Sequence, residues 1–456
     1  MSTDTIAAIS TGGANSGINI IRISGPKSLN IINNIFTNAK KLAHQKIVYG
    51  KIIGTNNKNI IDEVLVSYFK APNSFTGEDV CEVNCHGGKQ VTTEILQEIL
   101  ANGARLADPG EFSKIAFLNG KMDLSKAEGI IDLINAKTKV QSKIAVNQIE
   151  GRLYKNIKEQ RNILIEMLAN IEVNIDYPEY DYEELECGNI LAVIEKVKKN
   201  INRLIDTYNS GKYLRSGINV AILGGPNSGK STLLNLLSNS EKAIVTDIEG
   251  TTRDIVEETI VLDNMVLNLA DTAGIRETED VVEKIGIERS INIIEKVDII
   301  IYVVDYSKGL TTKDKETLEL IDSKQKPIII CLNKKDISRE NKNYEDIKEI
   351  KKSYILTSFL FNEGIEELKS EIIHNLQIKD LDKTEDNIIV NERHKALLEH
   401  AKNQLELANI ALKSGESLDI AEINIKNAAD KLGQIIGENI SEDIVNKIFE
   451  KFCLGK

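Results

Sequence analysis

The chain has 456 residues, 41% of them hydrophobic and 28% charged, and a net charge of −12. These values exclude a fibrous or low-complexity chain and predict a soluble, multidomain globular protein. The acidic balance also argues against a protein that coats nucleic acid unaided, although one local RNA contact stays open.

No stretch reaches the apolar length of a membrane span, and the first residues carry no signal-peptide pattern. Cys81, Cys85, Cys187, Cys331 and Cys453 form no C-x-x-C pair. That predicts reduced thiols, no zinc site and a cytoplasmic location.

Residues 1–118 mix strands with short helices. Thr5–Ser10, Gly17–Gly25, Lys46–Ile53, Glu63–Lys70 and Asp79–Asn84 are rich in Ile and Val and bounded by turn residues, as strands are. Ser28–Phe36 and Val91–Ala101 have helical apolar spacing. Cys81 and Cys85 fall on one strand face and read as core. Arg22 interrupts an apolar strand, and a buried guanidinium needs a partner, for which Glu82 on another strand is the candidate. Pro72-Asn73-Ser74-Phe75-Thr76-Gly77-Glu78-Asp79 and Pro109-Gly110-Glu111-Phe112-Ser113, taken alone, read as a turn and a helix cap.

From 119 to 213 the pattern changes to long helices. Ser125-Lys126-Ala127-Glu128 reads as a capping box. Helices are predicted from there through Ile134, over Glu150–Val173 and from about Ile190 to Tyr208. The acidic run from Asp176 to Glu184 reads as a connector.

A nucleotide-binding pattern follows. Gly224-Gly225-Pro226-Asn227-Ser228-Gly229-Lys230-Ser231 fits G-x-x-x-x-G-K-[ST], between an apolar strand from Ile218 and a helix from Thr232. Its glycines let backbone N–H groups curl around phosphate, Lys230 can reach the β- and γ-phosphates, and Ser231 can ligate Mg²⁺. Strands are predicted over Thr259–Leu262, Val266–Ala270, Ile299–Val304, Ile328–Leu332 and Tyr354–Thr357, in an α/β domain with a mostly parallel sheet.

Gly250-Thr251-Thr252-Arg253-Asp254 supplies a switch threonine. Asp271-Thr272-Ala273-Gly274 can hold Mg²⁺ through water and sense the γ-phosphate. In Asn333-Lys334-Lys335-Asp336, the Asp336 carboxylate can accept from guanine N1–H and N2–H, a donor pair that adenine lacks. Thr357-Ser358-Phe359 stands where Ser-Ala is usual on the guanine side. Ile275 follows Gly274 where many small GTPases have a water-orienting glutamine. A monovalent cation at Asn227 and switch I oxygens can neutralise the developing charge instead, and Glu283 can orient water.

Lys379–Asn387 is a charged linker, and helices resume over Asn391–Lys413, Leu418–Ile436 and Ser441–Phe449. Arg393, His394, Lys395 and Lys402 form a modest basic face. The predicted architecture is multidomain α/β. An α+β domain spans 1–118, a discontinuous all-helical domain spans 119–213 and 380–456, and a Ras-like P-loop GTPase domain is inserted over 216–377.

These motifs, with His86-Gly87-Gly88, the helix opening Lys121-Met122-Asp123-Leu124 and the ending Phe452-Cys453-Leu454-Gly455-Lys456, resemble the MnmE (TrmE) family of tRNA-modification GTPases along the whole chain. The resemblance implies a homodimer that binds a folate one-carbon carrier (5-formyl- or methylene-tetrahydrofolate) through Arg22, Glu82, Lys121 and Lys456. It implies K⁺ at Asn227, Thr246, Ile248 and Thr251, Mg²⁺ at Ser231 and Thr252, and Glu283 acting through a water beside Lys230 and Asn227. GTP contacts fall on Asn227, Ser228, Gly229, Lys230, Ser231, Thr232, the switch run Thr246, Asp247, Ile248, Glu249, Gly250, Thr251 and Thr252, then Asp271, Thr272, Ala273, Gly274, Asn333, Lys334, Asp336 and Ser358. The implied partners are the flavoprotein MnmG, in a heterotetramer, and tRNA, whose wobble uridine is modified at C5. A GTP-timed ribosome-assembly factor is the rival reading. Such proteins usually carry an RNA-binding appendage, and none is visible in this sequence.

Overall fold

The computed structural model describes residues 4–12, 15–176, 187–238, 256–262, 264–270, 293–337, 354–378, 389–452 and Gly455. By contact these divide into two compact units. One holds residues 1–131, 149–162 and 429–456, and the other holds 132–148 and 163–428.

The first unit is built on a six-stranded sheet in the order β3-β4-β5-β2-β1-β6. Its strands are β1 (Ile6–Ile9), β2 (Ile18–Ser24), β3 (Lys46–Ile53), β4 (Ile60–Phe69), β5 (Val80–His86) and β6 (Arg105–Leu106). All pairs are antiparallel except β1 with β6. Period-two alternation sends Ile21, Ile23, Val48, Ile52, Val64, Val66, Cys81 and Val83 to one face. There they pack with α1 (Ser28–Ile35) and α2 (Lys89–Ala101).

The opposite face is treated differently along its width. Near β1, α3 (Glu111–Leu118) covers it with Phe112, which packs with Ile6, Ala8 and Ala107. Toward β3 and β4 it carries Ile47, Tyr49 and Leu65, which are 64%, 57% and 43% exposed. Tyr49 stands opposite Leu65, and Leu65 opposite Asn84, so these side chains form a row across three strands. The run Pro109–Ser113, expected as a turn and cap, thus opens a working helix whose first residue after the left-handed Gly110 is Glu111.

The unit is completed by the start of α4 (Leu124–Asn135), part of α6 (Arg152–Asp176), the end of α13 (Leu418–Ile436) and α14 (Glu442–Phe449). Leu124, Ala127, Val445, Phe449 and Phe452 form its second core. One expectation is corrected here. Ser125 does not cap α4, because it lies inside the helix and is fully buried. Asp123 does the capping: its Oδ1 accepts the Lys126 N–H at 2.9 Å and also the Ser125 hydroxyl.

The second unit carries the other sheet, in the order β12-β11-β10-β7-β9-β8. Its strands are β7 (Ile218–Gly224), β8 (Val256–Leu262), β9 (Met265–Ala270), β10 (Ile299–Asp305), β11 (Ile328–Asn333) and β12 (Tyr354–Leu356). Only β8 runs antiparallel to its neighbour. Strands β10 and β11 are buried at every position, as a sheet covered on both faces requires. The helices α9 (Lys230–Ser238) and α11 (Ile365–Asn375) pack into the core on one face. The helix α10 (Thr312–Ser323) packs into the core on the other.

The same unit holds α5 (Lys139–Ile149), α7 (Cys187–Asp206), α8 (Tyr208–Ser216) and α12 (Glu392–Lys413), with α7 lying along α12. Of the basic face expected on α12, Arg393, Lys395 and Lys402 are partly exposed and His394 is not. His394 is fully buried and its Nε2 lies 2.8 Å from an Arg393 nitrogen, while Lys395 sits 4.8 Å from the Tyr208 ring centroid.

Candidate functional sites

The first site lies at the carboxyl edge of the parallel sheet, where β7, β10 and β11 are neighbours. The register puts Gly224 beside Val303, and Asp305 beside Asn333. Strand β7 ends at Gly224 and helix α9 begins at Lys230, so residues 225–229 form the loop between them.

Two glycines there are dictated by space. A Cβ on Gly224 (φ +143°) would stand 2.1 Å from the Val303 carbonyl oxygen, and one on Gly229 (φ +110°) 2.1 Å from Asn333 Nδ2. Asn227 also takes a left-handed conformation, φ +57°. Lys230 folds over this loop and donates to the carbonyls of Gly224 (3.0 Å) and Gly225 (2.7 Å). Burial pushes its pKa down, so its ammonium gains from any anion that enters. Ser228 Oγ is buried without a hydrogen-bond partner among the described residues. A phosphate-sized acceptor set at a helix start fits both groups. Ser231 and Thr232 follow in the first turn of α9, exposed.

The base side is tied to this loop by Asn333 and Lys334. Asn333 Nδ2 donates to the Ser228 carbonyl (2.8 Å) and its Oδ1 accepts the Phe359 N–H (3.0 Å). Lys334, at φ +70°, donates from Nζ to the Asn227 carbonyl and to Asp305 Oδ2, both at 2.7 Å. Ser358 Oγ donates to Asp336 Oδ1 (2.5 Å), while Asp336 itself is exposed. Phe359, the departure from the usual alanine, points its ring into the sheet's core and is 2% exposed. It therefore leaves the base side open.

Asp305 was not singled out from sequence. It ends the buried β10 and fixes Lys334. Burial pushes its pKa up, but hydrogen bonds from Lys334 and Ser307 outweigh this and hold it below the usual carboxylate value. The only sequence signal was an acid closing an apolar run.

Thr246, Asp247, Ile248, Glu249, Gly250, Thr251, Thr252, Asp271, Thr272, Ala273, Gly274, Glu283, Cys453 and Lys456 lie outside the described residues.

The second site is on the partly covered face of the first sheet. Arg22 and Glu82 are opposite one another in the β2–β5 register, and Arg22 Nε donates to Glu82 Oε1 at 2.9 Å. The guanidinium carbon lies 5.2 Å from the Phe75 ring centroid and 5.7 Å from that of Phe112. The two clusters that looked like plain turns thus meet at Arg22.

The Pro72–Asp79 loop is pinned around this pair. Thr76 Oγ1 lies 2.7 Å from Ser24 Oγ, and Asn119 Nδ2 donates to the Thr76 carbonyl at 2.8 Å. Lys121 Nζ donates to the Pro72 carbonyl, also at 2.8 Å. Burial pushes Glu78 up, and its partner Ser24 opposes the rise. A guanidinium, a carboxylate, an ammonium and a half-exposed aromatic ring are therefore brought together beside an open apolar surface.

Comparison with known proteins gives a consistent result. A family model described as "GTP-binding protein TrmE N-terminus" matches residues 5–121, and one described as "MnmE helical domain" matches residues 124–453. A protein of Acetivibrio thermocellus named tRNA modification GTPase MnmE is 46% identical over 99% of both chains. The protein of that name from Lactobacillus delbrueckii subsp. bulgaricus is 45% identical over 99% of this chain and 98% of its own. That from Alkaliphilus metalliredigens is 44% identical over 99% of both.

Proposed function

Since the chain belongs to the MnmE family of tRNA modification GTPases, we propose that its GTP hydrolysis drives folate-dependent modification of tRNA at C5 of the wobble uridine. The observation that carries the GTPase half is the linked geometry of Lys230, Asn333, Lys334 and Asp336 around one loop. Lys230 releases the loop carbonyls and pairs with the β- and γ-phosphates. Lys334 braces Asn227, and Asp336 selects guanine through the oxygen that Ser358 leaves open.

Ser231 and Thr252 would hold Mg²⁺, which supplies charge neutralisation at the phosphates. The side chain of Asn227 makes no hydrogen bond among the described residues and is exposed. Together with Thr246, Ile248 and Thr251 it would hold K⁺, which would neutralise charge in the place of an arginine finger. Glu283 orients the attacking water in this reading.

The folate reading rests on Arg22, Glu82, Phe75 and Lys121. A pterin ring presents paired N–H donors that suit the Glu82 carboxylate, and a flat face that suits Phe75. The glutamyl carboxylates suit the cations Arg22, Lys121 and Lys456. The exposed apolar patch of Ile47, Tyr49 and Leu65 on the same sheet face supports a homodimer closed across that face. MnmG is the second partner. The parts of the machine are residues 1–118 for folate and dimerisation, 216–377 for GTP, and 119–213 with 380–456 as the helical connection.

GTP turnover in KCl and NaCl at equal ionic strength tests the hydrolytic half. Turnover should be at least about tenfold faster in KCl. Equal rates would remove the cation from the mechanism.

A further inference from the structure

Charge is segregated along this acidic chain. From Thr5 to Ile61 there is no Asp or Glu, against six lysines and Arg22, while the whole chain carries −12. The fold gathers several of these lysines at one corner of the first sheet. A 3-10 turn, Ala39–Lys41, is held against edge strand β3: the Asn38 side chain donates to the Tyr49 carbonyl (2.7 Å), and the Thr37 N–H to the Lys51 carbonyl (3.0 Å). His44 bridges to Tyr68, and its Nδ1 accepts the Lys70 N–H at 3.0 Å. Lys46 stands opposite Tyr68 in the β3–β4 register, and Lys70 follows Tyr68 by two residues. Lys40, Lys41, Lys46 and Lys70 are therefore neighbours around His44, and all are exposed.

None of the four pairs with a carboxylate among the described residues. Lys51, close by, is already paired with Glu63 at 3.2 Å. Asp79, beside Tyr68, is taken by the Ala71 N–H at 2.9 Å. Four clustered ammonium groups without counter-charge repel one another and attract a polyanion. Lysine is a point-charge contact that grips phosphate without reading bases.

We propose that this lysine corner is where the chain grips the sugar–phosphate backbone of its tRNA. The choice of RNA rests on the reading above; the surface rests on charge and geometry. The corner orients the RNA and carries its salt-sensitive affinity, while base selection lies elsewhere. An acidic protein partner would also fit four lysines, and the test separates the two.

Binding of labelled tRNA to the full chain is measured over a salt series, by fluorescence anisotropy. The variant Lys40→Gln, Lys41→Gln, Lys46→Gln, Lys70→Gln should bind at least about tenfold more weakly at low salt. Its slope of log affinity against log salt should be shallower by about 3. GTP turnover and unfolding temperature should stay at the parent's values. If that variant fails to fold, Lys40→Gln with Lys41→Gln should lower the slope by about 1.5. A control removing four exposed helical lysines (Lys155, Lys196, Lys199 and Lys426, each to Gln) should change affinity less than about threefold.

Parent-like affinity and slope in the corner variant would overturn this surface and leave an acidic protein as its partner. An equal loss in the control would overturn it too, because net charge alone would then explain the effect. No tRNA binding by the parent would instead overturn the tRNA reading itself, and this surface with it.

Discussion

In the function proposed above, nucleotide choice turns on Asp336. There its second carboxylate oxygen would accept from a base with paired donors, and an amide in its place presents a donor instead. Asp336→Asn should weaken GTP binding by about 10² to 10⁴-fold and shift preference toward xanthosine triphosphate, as a nucleotide competition assay reads out. Unchanged preference would remove Asp336 from the base site.

Asp305 makes a different prediction, about pH. Its folded pKa is held below the unfolded value of about 3.8 by Lys334 and Ser307. It therefore contributes stability that is fully present above that value and is lost as pH falls through the folded one. Asp305→Asn should cost about 1 kcal/mol at neutral pH, given the partly exposed Lys334, in denaturant unfolding. The gap between variant and parent should close as pH drops below about 4. A gap of constant size would mean that packing, not charge, is what Asp305 supplies.

At this scale the sequence was uneven. Asp336 and Asn333 stood in a recognisable tetrapeptide, and the Arg22–Glu82 pair followed from one rule, that a buried cation needs an anion. Asp305 did not, because an acid closing a buried strand has no pattern of its own until the strand beside it is known.

Among the elements, strands with clean alternation and helices with clean apolar spacing were legible to within a few residues. Helices α5 and α8 were not. The buried positions of α5 include Gln141 and Gln148, which count as polar in any periodicity. Gln141 is buried because its side chain is fully used: Oε1 accepts the Lys137 N–H at 2.7 Å and Nε2 donates to the Arg215 carbonyl at 3.0 Å. That partner lies on α8, a polar helix with Gly211 in it, so each helix depends on a contact remote in sequence.

The start of α4 was misread for a related reason. Ser125 was read as the cap, but the side chain that accepts the Lys126 N–H is that of Asp123, two residues earlier. Asp123→Ala should cost about 1 kcal/mol through loss of that cap, measured by chemical denaturation. If it proved neutral, the N-terminal turn would not depend on the Asp123 carboxylate.

For the whole molecule, the net charge of −12 was a fair guide to the average surface and a poor one to the place where RNA would bind. A sum hides an acid-free stretch, and only the fold brings three of its lysines to one corner with Lys70. The order of motifs along the chain was legible because phosphate chemistry fixes residue types at short spacing. How two separate sets of residues act on one tRNA was not, since that coupling has no local signature.

On the function proposed above, this chain couples GTP hydrolysis to modification of tRNA wobble uridines. The direct measurement is nucleoside analysis of tRNA from cells lacking the protein, with and without the restored gene. The C5-modified uridine should vanish on deletion, return with the parent gene, and stay absent with Asp336→Asn. An unaltered nucleoside profile in the deletion strain would contradict that function.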